Sequence, residues 1–327
     1  MSQSEVLLEI KDLCVEFQTV EGTVHAVNHL NYILHKGEKL GIVGESGSGK
    51  SVSSLGMLQL IPNPPGRITN GEILYQGRDL IKASEREMQK IRGNEISMIF
   101  QEPMTSLNPI IKCGKQIAES LVLHWGMKKK EAMEEAVHMM QAVGIADSET
   151  RAHEYPHQMS GGMRQRVMIA MALACQPKIL IADEPTTALD VTIQAQILDL
   201  IRKLNEKMGT SVIFITHDLG VVSELCDTVI VMYTGHIVEQ APAAELFAEP
   251  KHPYTRGLLD AIPGIVKDRS PLKTIEGMVP NPTERITGCS FSPRCPHASD
   301  RCRTEAPPVN QISDTRQVRC WLYENFR

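Results

Sequence analysis

An α/β fold built around a phosphate-binding loop is what the sequence predicts, on three observations. The stretch Gly44-Glu45-Ser46-Gly47-Ser48-Gly49-Lys50-Ser51 fits G-x-x-x-x-G-K-[ST]. Its setting is right, because the apolar run Leu40–Val43 precedes it and a helix-like stretch from Ser51 to Leu60 follows. Further on, short apolar strands each end in a polar residue, where open α/β sheets bind their ligands. In such a loop the glycines let the backbone curl until successive N–H groups face phosphate oxygens. The following helix adds the positive end of its dipole. Lys50 is placed to reach the β- and γ-phosphates of a nucleotide, and the Ser51 hydroxyl to bind Mg²⁺.

A chain of 327 residues is long enough for one large domain plus an appendage. Its net charge of −5 argues against bulk binding of nucleic acid, which usually shows as a basic domain. No run approaches the ~18 apolar residues of a membrane span. Val167 to Cys175 is about half that length and reads as a buried helix. The opening Met1-Ser2-Gln3-Ser4-Glu5 lacks a basic region followed by an apolar one, so a cytoplasmic protein is expected. In a reducing compartment Cys14, Cys113, Cys175 and Cys226 read as inert buried thiols.

In chain order, residues 6–17 alternate as an opening strand ending at Phe17, whose ring could stack on a purine. Val24 to Leu34 reads as a strand pair, turning at residues 35–38 into the strand before the loop. Pro62-Asn63-Pro64-Pro65-Gly66 breaks the structure, and Gly71–Gly77 looks like an edge strand closing in a turn. Ser84 to Ile91 is polar and helical. Ile96–Phe100 is a buried strand that delivers Gln101, able to reach a metal-bound water or a γ-phosphate. From Glu102 to Met159 the strand patterns vanish; Gly114–Trp125 and Lys129–Val143 show helical spacing, so an inserted helical subdomain is expected. Ser160-Gly161-Gly162-Met163 then heads a long apolar helix and makes a second anion site. The strand Lys178–Ala182 ends in Asp183, fitted to hold Mg²⁺, and Glu184, fitted to orient an attacking water. Ala188-Leu189-Asp190 forms a turn beyond it. Strand Val212–Thr216 delivers His217, able to hydrogen-bond a γ-phosphate.

These pieces, in this order, resemble the nucleotide-binding subunit of an ABC (ATP-binding cassette) transporter over roughly residues 6–250. The resemblance implies a P-loop NTPase with a RecA-like core, an antiparallel β subdomain and the helical insertion at 102–159. Gly44–Ser51 matches Walker A, Ile179–Glu184 Walker B, Gln101 the Q-loop and Ser160–Met163 the signature. Ala188–Asp190 matches the D-loop, His217 the switch histidine and Phe17 the aromatic A-loop position. The signature departs from the usual Leu-Ser-Gly-Gly-Gln in having Met159 and Met163 at its outer positions, while the serine and glycines are kept. Such cassettes bind ATP between two subunits, Walker A of one facing the signature of the other. The implied catalytic set is Glu184, His217 and Gln101, and the implied Mg²⁺ set is Ser51, Gln101 and Asp183.

Two further stretches, 101–109 and Lys251-His-Pro-Tyr-Thr-Arg-Gly-Leu-Leu-Asp-Ala-Ile-Pro263, resemble the oligopeptide/dipeptide/nickel importer ATPases, and the chain as a whole resembles the D-type subunit of dipeptide importers. That implies a C-terminal extension over 251–327 and a place on the cytoplasmic face of the membrane. It also implies four partners: a paralogous ATPase subunit, two transmembrane permeases and an extracytoplasmic binding protein, with no nucleic acid among them. An importer of nickel or another small solute is the alternative within the family, and a soluble non-transport ABC ATPase the alternative outside it. Repair enzymes of that kind insert long coiled coils and translation factors carry two cassettes; neither is visible here.

Cys289, Cys295, Cys302 and Cys320 give C-x5-C-x6-C-x17-C in a tail too poor in apolar residues to build much core. Four thiolates hold either tetrahedral zinc or an iron–sulfur cluster, and the close C-x2–4-C pairs usual for zinc are absent. Free structural thiols are the third reading. The family resemblance implies a [4Fe–4S] cluster, with Arg294, Arg301, Arg303 and Arg319 offsetting its negative charge.

Overall fold

The computed structural model describes residues 5–101, 106–186, 191–261, 274–284 and 286–324. They fall into two compact units, one of residues 1–82 with 214–327 and one of residues 83–213. The strands in chain order are β1 (Val6–Thr19), β2 (Gly22–His35), β3 (Lys39–Val43), β4 (Gly66–Tyr75), β5 (Arg78–Asp79), β6 (Ile96–Ile99), β7 (Ile179–Asp183), β8 (Ser211–Thr216), β9 (Thr228–Tyr233), β10 (His236–Pro242), β11 (Asn310–Ser313) and β12 (Arg316–Val318).

In the first unit an antiparallel sheet runs β2-β1-β4-β5. Leu8, Ile10, Leu13 and Val15 of β1 are fully buried, as period-two alternation requires of a sheet with one covered face. The strand pair expected over 24–34 is a single strand, β2. It is interrupted by a bulge rather than a turn: register against β1 slips between Ile10 and Val15, and Asp12 and His29 take left-handed φ values of 49° and 50°. The expected edge strand at 71–77 starts earlier, at Gly66, and lies inside the sheet between β1 and β5.

The same unit holds the run β11-β12-β10-β9-β3. Strands β3 and β9 are parallel, with Ile42 opposite Ile230. Residues 40–43 and 229–233 are buried throughout, the continuous apolar run that a doubly covered strand needs. Gly41 is required there, since a Cβ would lie 2.6 Å from Val222 on helix Leu219–Leu225. From the C-terminal extension, β12 pairs antiparallel with β10, Glu239 opposite Val318. That join is fixed by a buried ion pair: the Arg316 guanidinium donates to the Glu239 carboxylate at 2.8 Å, and both side chains are shut from solvent. Glu239 also accepts the backbone N–H groups of Lys251 (2.9 Å) and His252 (2.8 Å), which ties the start of the extension to β10.

In the second unit β6 and β7 pair in parallel, Met98 opposite Ile181. Helix Glu85–Ile91 starts with a capping box between Ser84 and Glu87. Helices Cys113–Trp125 and Lys129–Ala142 follow, within a residue of the spans that apolar spacing predicts. The first buries Cys113, Ile117 and Leu121 at four-residue intervals and stops at Gly126 in the left-handed region. Helices Gly161–Leu173 and Val191–Met208 complete the unit. Val167 to Cys175 is buried as expected apart from Met171, which is partly exposed, but the helix ends at Leu173 and the last two residues turn. Among the described residues, no helix is long and apolar enough to cross a membrane.

Candidate nucleotide-binding site

The loop Gly44–Ser51 leaves the buried end of β3 and enters helix Lys50–Met57. Its curl rests on two glycines. At Gly44 (φ 152°) a Cβ would fall 2.2 Å from the Met232 carbonyl oxygen, and at Gly49 (φ 95°) 2.2 Å from that of Ala26. Neighbouring strands therefore press on the loop from both sides. Ser46 and Gly47 form its exposed crest, while Ser48, Gly49 and Lys50 are buried. The Ser48 N–H donates to the Glu45 carbonyl at 3.2 Å, and the Ser48 carbonyl accepts from Gly235 at 3.0 Å. The Lys50 ammonium lies over the loop, donating to the carbonyls of Gly44 (2.8 Å) and Glu45 (3.0 Å). It is thus fixed across a glycine-curled loop at a helix N-terminus, a placement suited to a polyphosphate. Ser51 follows in the first helical turn. The helix ends sooner than the expected Leu60, because Gln59 turns left-handed (φ 50°) and the Leu60 N–H closes back on the Leu55 carbonyl. Phe17, on β1, is half-buried and packs on Gly66 of β4, its ring within 2.6 Å of where a Cβ would be.

In the second unit the two residues singled out at strand ends come together. Gln101, just past β6, donates from its side-chain amide to a Glu184 carboxylate oxygen at 3.0 Å. Glu184 follows the buried Asp183 at the end of β7 and takes φ 44°, a left-handed conformation that costs a residue with a Cβ about 1 kcal/mol. The turn is held by Gln165, a buried side chain of helix Gly161–Leu173 that donates to the Pro185 carbonyl. At the head of that helix Ser160 is the N-cap, accepting the Met163 N–H at 3.3 Å. Ser160 and Gly161 are exposed, and a Cβ on Gly161 would meet nothing within 4 Å. Met159 is buried and its sulfur touches Cys113, so the departure at that signature position is a core residue. His217 is exposed at the end of β8, and Asp218 caps the next helix by accepting the Gly220 N–H at 2.9 Å. The D-loop residues Ala188–Asp190 lie outside the described residues.

All four tail cysteines line one cavity of about 270 Å³, together with His252, Phe291 and Trp321. Burial raises Cys289 and Cys295 above the ordinary thiol range and pushes Cys320 up to about 11, with repulsion between neighbouring cysteines as thiolates adding to each. Among the described residues, no three His, Cys, Asp or Glu converge closely enough to hold a single metal ion. The arginines expected to offset a cluster are mostly engaged elsewhere. Arg294 is paired with Glu45, and Arg301 with Glu324 and Glu305 while stacking 3.4 Å over Trp321. Arg319 does feel Cys289, although burial holds it below its ordinary value. The Arg294–Glu45 pair, 249 residues apart in sequence, had no signal in the chain that could reveal it. Of the other four cysteines, Cys113, Cys175 and Cys226 are buried, and burial pushes Cys113 and Cys175 up to about 11 and Cys226 to about 12. Cys14 is half-buried and accepts the His29 N–H at 3.3 Å.

Residues 27–187 match the ABC transporter family, and residues 238–302 match the C-terminal region of oligopeptide/dipeptide transporters. The chain is 53% identical over 318 residues to the oligopeptide transport ATP-binding protein AppD of Bacillus subtilis, covering 97% of both chains. It is 51% identical to OppD of Salmonella typhimurium (97% of this chain, 94% of that one) and 48% identical to the dipeptide transport ATP-binding protein DppD of Escherichia coli (96% of each). Among solved structures, the dimeric cassette MJ0796 in a post-hydrolysis state bound to ADP and Pi superposes with a TM-score of 0.65 at 28% identity, over 72% of this chain and 99% of that one. CbiO1 of Clostridium perfringens, part of the ABC transporter complex cbiONQ, gives 0.63 at 28% identity, over 75% and 92%. The fold and the phosphate-binding loop are thus those of an ABC transporter ATPase, and the chain belongs to that family. It belongs in particular to the oligopeptide/dipeptide branch, whose C-terminal region it carries behind the cassette.

Proposed function

We propose that this chain is the ATP-hydrolysing subunit of an importer of di- or oligopeptides, seated on the cytoplasmic face of the membrane through permease partners. One observation carries the reading: a chain of the oligopeptide/dipeptide branch has both a lysine-capped phosphate loop and a Gln101–Glu184 contact at its strand ends. In this reading residues 1–250 form the cassette, with 102–159 as its helical subdomain, and 251–327 the extension. The loop Gly44–Ser51 and the Lys50 ammonium bind the triphosphate, with Phe17 under the base. Ser51, Gln101 and Asp183 serve Mg²⁺. Glu184 orients the attacking water, and His217 contacts the γ-phosphate.

The Ser160–Met163 head, exposed at Ser160 and Gly161, suits a nucleotide held by another subunit, because a capped helix start with no Cβ at Gly161 admits close approach of phosphate. A lone chain then has two half-sites. Joining a paralogous ATPase subunit completes them, and cleavage of the γ-phosphate removes the bridge, so chemistry becomes movement by a population shift. The two permeases would carry that movement, and an extracytoplasmic binding protein would deliver the peptide.

In the same reading the four cysteines hold a [4Fe–4S] cluster rather than a single zinc. The close C-x2–4-C pairs usual for zinc are absent, and all four thiols line one cavity of about 270 Å³. Cys289, Cys295, Cys302 and Cys320 would hold it, and it would supply a staple and an electron-accepting centre. The four side chains are half-buried around one cavity, where neighbouring thiolates would repel one another, a cost that bound metal would offset.

The test is uptake of labelled di- and oligopeptides by the assembled transporter in vesicles supplied with ATP. Uptake should require ATP and fail with Lys50→Ala. Peptide uptake that persists in that variant would overturn the reading, as would a transporter that moves nickel and no peptide.

A further inference from the structure

Glu45 is the odd residue of the phosphate loop. Its carboxylate sits beside a site built to attract a polyanion, and its like charge opposes that attraction. In the structure it is gripped from the far end of the chain. Arg294, its side chain 4% exposed, donates from two guanidinium nitrogens to both carboxylate oxygens, at 2.7 and 3.0 Å. The guanidinium is itself held, by the carbonyls of Glu276 (3.2 Å) and Ile275 (3.4 Å) and by the Tyr233 hydroxyl (3.4 Å). The backbone of Glu45 is taken too, its N–H donating to the buried Tyr254 hydroxyl at 2.9 Å. Tyr254, Tyr233 and Phe291 pack ring against ring at 4.6 to 5.3 Å, so this clamp is rigid. Phe291 and Arg294 both lie between Cys289 and Cys295, and Arg294 ends the short helix Ser292–Arg294.

We infer that Arg294 is a positioning residue for ATP: it neutralises Glu45 and, with Tyr254, fixes the first turn of the phosphate loop, so the C-terminal extension sets the cassette's nucleotide affinity. A bidentate, charge-assisted pair on a buried guanidinium is the strong form of such a contact. The carboxylate is thereby kept off the phosphates and its charge offset. The inference rests on Gly44–Ser51 being the ATP site.

The experiment is a double-mutant cycle in the assembled transporter, read as Mg·ATP affinity with a fluorescent analogue and as KM and kcat for ATP. Arg294→Ala should weaken ATP binding and raise KM about tenfold, with kcat at saturating ATP within about twofold. In the Glu45→Gln background the same change should cost less than about twofold, because no charge is left to offset. Arg294→Lys, which keeps the charge but loses the fork, should fall between wild type and Arg294→Ala. A merely structural arginine would give equal losses in both backgrounds, or a fall in kcat with KM unchanged; either result overturns the inference, as does wild-type affinity in Arg294→Ala. Should Arg294→Ala fail to assemble, the cycle is run with Arg294→Lys and judged on the same contrast. Lys50→Ala measured alongside separates the two failures: if Lys50→Ala binds ATP as wild type does the site reading fails, whereas if Lys50→Ala loses binding and Arg294→Ala does not the inference alone fails.

Discussion

The Gln101 side-chain amide and the Glu184 carboxylate meet at 3.0 Å, joining the ends of two parallel strands. The amide donates to a carboxylate oxygen, so it holds the side chain in place. A carboxylate so fixed can orient a water and accept its proton. Glu184→Gln should therefore leave ATP affinity within a few-fold and cut steady-state hydrolysis by about a hundredfold or more, the scale of losing a general base. Phosphate release at wild-type rate in that variant would remove Glu184 from the base role.

The Arg316–Glu239 pair is buried at both ends, so breaking it leaves a charge with no solvent. Arg316→Met should lower unfolding free energy by about 3–5 kcal/mol. Adding Glu239→Gln should recover much of the loss, since the stranded charge is then gone. Denaturant unfolding of both variants checks this, and a loss under about 1 kcal/mol in Arg316→Met would contradict it.

His252 gives the fold a pH dependence of definite sign. Its ring is fully buried, and Nδ1 accepts the Tyr254 N–H at 3.1 Å. Around it stand Arg256, the Phe291 ring and the Glu239 carboxylate, the last already neutralised by Arg316. Burial, and then repulsion from Arg256, lowers its pKa to about 3. The unfolded chain protonates near 6.5, so below that pH the unfolded state binds the extra proton and stability falls as pH falls. The stabilisation from the neutral ring is fully present above pH ~6.5 and declines toward pH ~3, by up to about 1.4 kcal/mol per pH unit. Asparagine keeps an acceptor for the Tyr254 N–H, so His252→Asn should flatten the melting-temperature profile between pH 6.5 and 4.5; an unchanged slope would show that other groups set it.

For the tail, protein prepared without oxygen should carry iron and acid-labile sulfide and show broad visible absorption. Cys295→Ser should lose both and lower the melting temperature of the extension. A colourless protein with one zinc per chain would favour the single-metal reading.

Much of the site was legible because its parts are local. Eight adjacent residues make the phosphate loop, and a short buried strand sets out Asp183 and Glu184 in order. Helix spans in the second unit follow from apolar spacing alone, since each buries one face. What escaped was of three kinds. The bulge at Asp12 and His29 breaks the two-residue period, so one long strand reads as two. Contacts between distant segments leave no trace in spacing: Arg294 reads as a counter-charge for neighbouring cysteines until the fold hands it to Glu45. The left-handed turn at Glu184 is equally silent, because nothing in Asp-Glu-Pro announces it.

The central claim is that ATP joins two half-sites, this chain's phosphate loop and its Ser160–Met163 head each facing the other ATPase subunit. The direct measurement is the distance between the two cassettes, by paired spin labels on exposed helices, in the assembled transporter carrying Glu184→Gln. Saturating Mg·ATP should shift the population to a short, narrow distance that ADP does not produce. Cassettes that stay apart with ATP bound would contradict the account.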